Sequence, residues 1–477
     1  MGTETGIADY FFGTYAFVLF LIYLALFIGA LVAVLKFVTI DRHWNQSKLK
    51  QSNNAPGISI IAPAFNESVT IIDNVRSLLT LHYVRYEIII VDDGSTDDTL
   101  EKLIKEFHLV EIPEYYVEYK VGCSPILHVY RSERLAFQKL TVVRKVNGGC
   151  KADAVNAGLN IAVFPYILNT DVDSVLSDQT LGDLVQPVLS SRKRVIAVGA
   201  TLRMSNSCIV DSGKIEKINL PTNYLVRFQE MEYIRAYLLG KMGWSQFNAI
   251  SNVSGGLGLF DREILVALGG YDVTSLGEDM EILIRMCGYA CEHDIDYAVK
   301  YIPKTLCWTE GPDHMKTFVR QRVRWARGLF QIIKKHRKLI FNPKYKKLGW
   351  LVMPYNLLFE FLAPIVELLG IIYLIYLAIT GHMNWNMAVM MLGMVYSFSV
   401  FMTTYSILLD HLIYRYYDSW REIGKLCITA FIEPFIYHPV IVYSSLKGIV
   451  QELLGTKHAW GAMPRKGTKK NNLEHKI

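Results

Sequence analysis

Glu87-Ile88-Ile89-Ile90-Val91-Asp92-Asp93-Gly94-Ser95-Thr96 decides how the chain is read. An apolar run this short, closed by a Gly-Ser-Thr turn, reads as a buried strand rather than a helix. Ile58-Ser59-Ile60-Ile61 is a second such run and ends at Pro63. Between the two, Glu67 to Leu81 spaces its apolar residues as one helical face. Strand, helix, strand is a βαβ unit, with parallel strands and loops at their C-terminal ends. Pro63-Ala64-Phe65-Asn66-Glu67 closes the first strand and Asp92-Asp93 the second, facing the crevice where α/β domains bind ligands. Carboxylates there can accept from the N–H and O–H groups of a nucleotide. Taken singly, either segment is equally a solvated turn, with Ser95 and Thr96 as helix caps.

Working outward, Leu127–Tyr130, Tyr166–Asn169 and Val195–Val198 are further strand candidates, and Lys151–Val163 and Asp178–Leu189 are helices. The expected soluble α/β domain covers residues 51–340, with its first strand starting near residue 56. Residues 106–126 read as an insertion. Tyr224–Leu239 is aromatic and amphipathic, either a core helix, which we favour, or one at a membrane surface.

The 477-residue chain is 51% hydrophobic, high for a soluble protein, and the excess is uneven. Phe11–Leu35 carries no charge and is long enough to cross a bilayer as a helix. Acidic Glu4 and Asp9 precede it and Lys36, Arg42, Lys48 and Lys50 follow, so residues 1–50 read as an anchor with its N-terminus outside. Residues 341–450 read as a second membrane region, with spans at about 357–380 and 387–409. Asp410–Lys425 suits an interfacial helix. Leu426–Leu446 contains Glu433, Pro434, His438 and Pro439, so we expect a bent interfacial segment, with a third span as the alternative. Residues 451–477 form a basic tail. The net charge of +6 is modest, and clusters such as Lys344-Tyr345-Lys346-Lys347 fit a lipid surface better than nucleic acid. Seven cysteines without CxxC pairing fit reduced thiols in a cytoplasmic domain.

The chemistry-bearing segments follow in order. Gly148-Gly149-Cys150-Lys151 lacks Walker spacing, but glycines before a helix carrying Lys151 can hold one phosphate. Asn169-Thr170-Asp171-Val172-Asp173 follows a strand. In an extended segment Asp171 and Asp173 share a face, and two such carboxylates with phosphate oxygens suit Mg²⁺ or Mn²⁺. Ser254-Gly255-Gly256-Leu257-Gly258 is permissive backbone, either a tight turn or an acceptor contact. Glu278-Asp279 opens a helix, where both carboxylates favour the N-terminus and Asp279 is a candidate general base. Gln321, Arg324 and Trp325 share one helical face. Arg324 suits a diphosphate and Trp325 the apolar face of a pyranose. Arg320, Arg322 and Arg327 read as a basic membrane-facing surface.

The ordered set PAFNE, VDDGSTDD, GGCKADAVNAG, TDVDS, GEDME and QRVRW resembles the membrane-bound inverting family-2 glycosyltransferases of GT-A fold. Cellulose, hyaluronan, chitin and poly-N-acetylglucosamine synthases belong to that family. The resemblance covers roughly residues 56–330. It implies an α/β GT-A domain inserted between transmembrane helices, a UDP-sugar donor, and Mg²⁺ or Mn²⁺ on Asp171 and Asp173. It implies Ala64, Glu67, Asp93, Lys151, Asp171 and Arg324 at the donor. Asp279 with Glu278 would lie at the reaction centre, and Gln321, Trp325, Gly255 and Gly256 at the acceptor. Trp460-Gly461-Ala462-Met463-Pro464-Arg465-Lys466 resembles the synthases' gating loop; a basic membrane-proximal tail is the alternative.

The implied activity is β-linked polysaccharide synthesis at the inner membrane, on a growing glycan or a lipid-linked acceptor. The readable spans are fewer than in synthases that secrete their own product, which points to a homo-oligomer, a partner membrane protein or a lipid-linked product. Transfer of a single sugar to a lipid or oligosaccharide is the rival within the same chemistry. A nucleotide-sensing transporter or receptor is the rival of another class. A dehydrogenase is disfavoured, since no G-x-G-x-x-G follows the first strand.

Overall fold

The computed structural model describes residues 2–43, 55–113, 117–211 and 213–456. The strands are β1 Ile58–Ala64, β2 Tyr86–Asp92, β3 Leu109–Glu111, β4 Ile126–Ser132, β5 Leu140–Lys145 and β6 Tyr166–Thr170. After them come β7 Val175–Leu176, β8 Arg194–Met204, β9 Ile209–Asp211, β10 Lys214–Lys217, β11 Leu257–Asp261 and β12 Tyr297–Thr309. Ten of them form one sheet in the order β3-β4-β5-β2-β1-β6-β11-β8-β12-β7. The expected parallel pair is there, with Ile58 beside Tyr86 and Ala64 beside Asp92. β6 and β5 extend it in parallel on either side.

β11 is the element that makes the site. It inserts antiparallel between β6 and β8, which sets Leu257 opposite Thr170. The start of β11 therefore lies at the end of β6, and the glycines before Leu257 stand beside Asp171.

The helix Lys151–Ile161 packs on β1 and β2 with nearly every residue buried. A side chain at Gly158 would meet Ile61 at 2.5 Å, so this helix reaches the sheet only because residue 158 is glycine. That contact fixes where Lys151 points from the helix N-terminus. Tyr224–Ile234 is a core helix, continued by a π-helical stretch over Arg235–Lys241. Residues 106–126 contribute β3 and the start of β4 to one edge of the sheet.

Gly2–His43 is one long helix whose apolar stretch is long enough to cross a membrane, as is Trp385–Tyr414. The expected span at 357–380 is divided: Leu348–Phe361 and Ala363–Ile379 meet at a bend of 40°. Pro364 follows the break, and most of Leu348–Phe361 is π-helical. Asp410–Lys425 is not one interfacial helix. The preceding helix runs to Tyr414, Arg415 turns with a positive φ of 49°, and Ser419 caps a new helix at Trp420.

That last helix, Trp420–Leu453, runs unbroken through Pro434 and Pro439 and is long and apolar enough to span. It also packs on the α/β domain. Glu422 near its start accepts from the backbone N–H of Leu220, and Glu452 near its end accepts from Arg327 Nε at 2.8 Å. Between them Leu426, Ala430 and Tyr437 pack with Phe228, Met231 and Phe318 of the α/β domain. The helix lies along the domain, while Ile428, Phe431, Phe435 and Ile436 stay exposed on its other side.

Candidate active site

β6 ends at Thr170, and the chain turns at once: the Ser174 N–H donates to the Asp171 carbonyl at 3.1 Å. The segment is thus a turn, not the extended stretch expected from alternation. The outcome for the side chains is nevertheless close, because Val172 is buried while Asp171 and Asp173 remain partly exposed. Lys151 forms an ion pair with Asp171 Oδ1 and donates to the Gly255 carbonyl at 2.6 Å. Thr170 Oγ1 donates to the Gly256 carbonyl at 3.0 Å.

The same glycine loop touches the helix Glu278–Glu292. The Gly255 N–H donates to Asp279 Oδ2 at 3.1 Å, and Met280 N–H donates to Oδ1 at 2.8 Å. A side chain at Gly256 would stand 3.4 Å from Asp171 Oδ2, so Asp171 and Asp279 border the same two glycines. Glu278 is buried beside Asp279, and burial first, then that neighbouring charge, pushes its pKa up.

The Gln321-Arg322-Val323-Arg324-Trp325 string lies on the helix Met315–Lys335. This helix crosses the start of Glu278–Glu292 at Gly277 and Gly328, where a side chain on Gly328 would meet Gly277 N at 2.8 Å. The close crossing puts Arg324 Nη1 3.9 Å from Glu278 and 3.1 Å from the Leu276 carbonyl. Gln321 Oε1 is buried and has no hydrogen-bond partner among the described residues. Trp325 keeps 38% of its surface exposed.

One expectation needs correction. Arg322 and Arg327 are not a solvated basic face; both are buried, in ion pairs with Glu232 and Glu452. Asp93 is 7% exposed, and its Oδ1 already pairs with Lys145 and accepts from the Gly148 N–H at 3.0 Å. Lys145 also bridges to Asp153 at 2.5 Å. Asp93 therefore organises the glycine loop that leads to Lys151. Its own backbone N–H is held by the Ala64 carbonyl at 2.9 Å. The Glu67 N–H is held by Thr99 Oγ1 at 3.0 Å, and the Glu67 carbonyl accepts from Ile71, which starts the following helix. Trp460, Arg465 and Lys466 lie outside the described residues.

Sequence reasoning missed Lys145, Lys241 and Glu232. Lys241 donates to Asn252 Oδ1 at 2.6 Å and lies over the Tyr237 ring at 4.8 Å. Burial pushes its pKa down to about 8, against the pull of Asp279. Burying a lysine where a sequence shows only an aromatic helix leaves no signal to read.

Residues 167–410 match the model of the glycosyl transferase family group 2, and residues 59–115 that of glycosyl transferase family 2. The chain belongs to the family-2 glycosyltransferases. This glycosyltransferase is 28% identical over 389 residues to a poly-beta-1,6-N-acetyl-D-glucosamine synthase of Staphylococcus epidermidis, covering 81% of each chain. A probable glycosyltransferase of Bacillus subtilis, YdaM, is 26% identical over 318 residues, 65% of this chain and 64% of that one. Among solved structures, a mannosyltransferase from Pyrobaculum calidifontis shares the fold at a TM-score of 0.50 and 16% identity, covering 91% of this chain and 100% of that one. The ten-stranded domain is a GT-A fold, flanked at its N- and C-terminal sides by helices apolar enough to span a membrane.

The residues present fit a divalent cation. Asp171 and Asp173 are partly open carboxylates two positions apart at a strand end, and such oxygens plus those of a diphosphate are what Mg²⁺ or Mn²⁺ takes. Among the described residues no cluster of three or more His, Cys, Asp or Glu forms a site made of protein alone.

Proposed function

We propose that this glycosyltransferase builds a β-linked N-acetylglucosamine polymer from UDP-N-acetylglucosamine, one residue at a time with inversion. The contact of Asp171, Lys151, Gly255 and Asp279 around one crevice carries the reading. The similarity to poly-beta-1,6-N-acetyl-D-glucosamine synthase supports the sugar and the polymer.

The donor's diphosphate lies against Lys151 and Arg324, with the nucleotide over the loop that Asp93 and Glu67 organise. A divalent cation held by Asp171 and Asp173 would neutralise diphosphate charge. The acceptor sugar lies between the glycine loop and Trp325, with a hydroxyl donating to Gln321 Oε1. Asp279 takes the proton of the attacking hydroxyl, the new C–O bond forms at the anomeric carbon, and the bond to the diphosphate breaks with its electron pair leaving on oxygen. A single displacement turns an α-linked donor into a β-linkage. Glu278 keeps Arg324 oriented toward the leaving group.

Residues 51–340 form the catalytic domain on the inner side of the plasma membrane. Gly2–His43, the bent pair 348–379 and Trp385–Tyr414 cross the membrane, and Trp420–Leu453 lies at its inner surface. The test is a panel of UDP- and GDP-sugars given to the lipid-embedded protein, reading nucleotide release and product mass. Polymer from UDP-N-acetylglucosamine is expected. Single-sugar adducts would overturn chain growth, and no release with any donor would overturn the enzymatic reading.

A further inference from the structure

Trp325 does not stand free on its helix. The guanidinium of Arg322, one turn back on the same face, lies 4.3 Å from the Trp325 ring centroid and 4.8 Å from that of Phe318. The cation thus lies over the indole, which still keeps 38% of its surface exposed. Arg322 is itself held from two other helices. Its Nη1 and Nη2 fork onto Glu232 at 2.8 and 2.6 Å, and Nη2 donates to the Tyr437 hydroxyl at 3.1 Å. Tyr437 closes the triangle by donating to Glu232 Oε2. Its ring lies 5.2 Å from both Phe228 and Phe318.

We propose that Glu232, Arg322 and Tyr437 are positioning residues that hold Trp325 in the orientation the acceptor sugar requires. The proposal rests on the reading of Trp325 as the acceptor platform. A planar guanidinium gripped by a carboxylate fork has little freedom, so a ring stacked on it inherits that order. Tyr437 belongs to the Trp420–Leu453 helix, so the C-terminal helix sets the aromatic platform through one hydroxyl. A sugar ring stacks well only on an indole face that does not swing, so the clamp acts on acceptor affinity rather than on the chemical step.

The experiment uses the full chain in lipid with UDP-N-acetylglucosamine and short β-1,6-linked N-acetylglucosamine oligomers. Arg322→Lys keeps the charge but loses the fork and the plane. It should raise the acceptor concentration for half-maximal rate roughly three- to thirty-fold, with the donor KM unchanged. Tyr437→Phe keeps the ring packing and removes the hydroxyl; it should give a smaller rise in the same direction and leave donor hydrolysis without acceptor untouched. In a Trp325→Ala background Arg322→Lys should add nothing further, because the clamp acts through the indole. A fall in kcat with acceptor KM unchanged, or full additivity with Trp325→Ala, would overturn the clamp. If Trp325→Ala alone leaves acceptor KM unchanged, the platform reading itself fails; if it raises KM while Arg322→Lys does not, only the clamp fails.

Discussion

The backbone N–H of Gly255 donates to the Asp279 carboxylate at 3.1 Å, so the loop that enters β11 and the helix that carries Asp279 are locked together. An asparagine at 279 can keep that contact through its carbonyl oxygen, but it cannot take a proton from an acceptor hydroxyl. Asp279→Asn should therefore lower kcat by about 10²–10⁴-fold while the donor Kd changes little. Calorimetric titration with UDP-N-acetylglucosamine beside a turnover assay checks both halves. Unchanged turnover would remove Asp279 from the reaction.

Lys151 pairs with Asp171, so a divalent cation held there would have to share that carboxylate with it. Lys151→Met should tighten Mn²⁺ binding in the absence of donor by roughly tenfold, because a repelling charge has gone. It should weaken donor binding, because the diphosphate loses one of its cations. Mn²⁺ titration followed by electron paramagnetic resonance reads the first effect, and donor KM the second. Asp173→Asn should weaken Mn²⁺ binding, opposite in sign to Lys151→Met.

Arg203 is buried at the end of β8 and pairs with Asp410 at 2.6 Å and Glu230 at 3.3 Å. Tyr417 donates to the same Glu230 at 2.7 Å. The strand, a core helix and the helix Trp385–Tyr414 thus meet on one guanidinium. Arg203→Met should cost about 3–5 kcal/mol, because it leaves two buried carboxylates without their cation. The triple change Arg203→Met, Glu230→Gln, Asp410→Asn should recover part of the loss. Thermal unfolding in one detergent compares the three proteins, and a single variant as stable as the parent would show that the cluster contributes nothing.

Lys241 gives a pH dependence with a definite sign. Unfolded, it holds its proton up to its ordinary pKa of 10.5, and folded it releases it at about 8. Between those values the unfolded chain binds more protons, so stability rises with pH there, and below about 8 the full cost of a buried ammonium is present. Lys241→Met should be more stable than the parent at pH 7, with the difference shrinking from pH 8 to pH 10. A pH series of melting curves reads this difference directly. A constant gap between the two proteins would show that burial leaves Lys241 unperturbed.

Much of this was legible in the chain because apolar runs and turn residues mark buried strands locally. β1, β2 and β6 are such runs, and the carboxylates at their ends fall where parallel topology puts them. β12 was not legible, since Lys300, Pro303 and Lys304 interrupt it. β11 has only five residues and follows two glycines, yet its antiparallel insertion makes the site. The misread arginines share one cause. Charge on an amphipathic helix reads as surface unless a partner is visible, and Glu232 lies 90 residues before Arg322 while Glu452 lies 125 after Arg327. Asp171 and Asp173 came out partly open for a reason other than the one expected, a turn rather than an extended strand.

The C-terminal helix decides on which side of the membrane the chain ends. Its 34 residues are about 51 Å long, more than a bilayer needs. A spanning helix must leave the catalytic domain at one end. This one touches that domain at Glu422, at Tyr437 and at Glu452, through Leu220, Arg322 and Arg327. Its exposed Ile428, Phe431, Phe435 and Ile436 can then enter the inner lipid surface while Glu433 stays paired with Arg235. Those contacts predict that a C-terminal tag is reached from the same side as the catalytic domain. In inverted vesicles, protease should remove the tag and cut the catalytic domain together, and in intact cells neither should be cut. A tag cut from outside would mean that the helix crosses the membrane and that the Arg327 to Glu452 ion pair does not form in the lipid-embedded protein. Charge reversal separates the two cases further. Glu452→Arg should destabilise a surface-lying helix through Arg327 and leave a spanning one unaffected, which the melting temperature in nanodiscs reports.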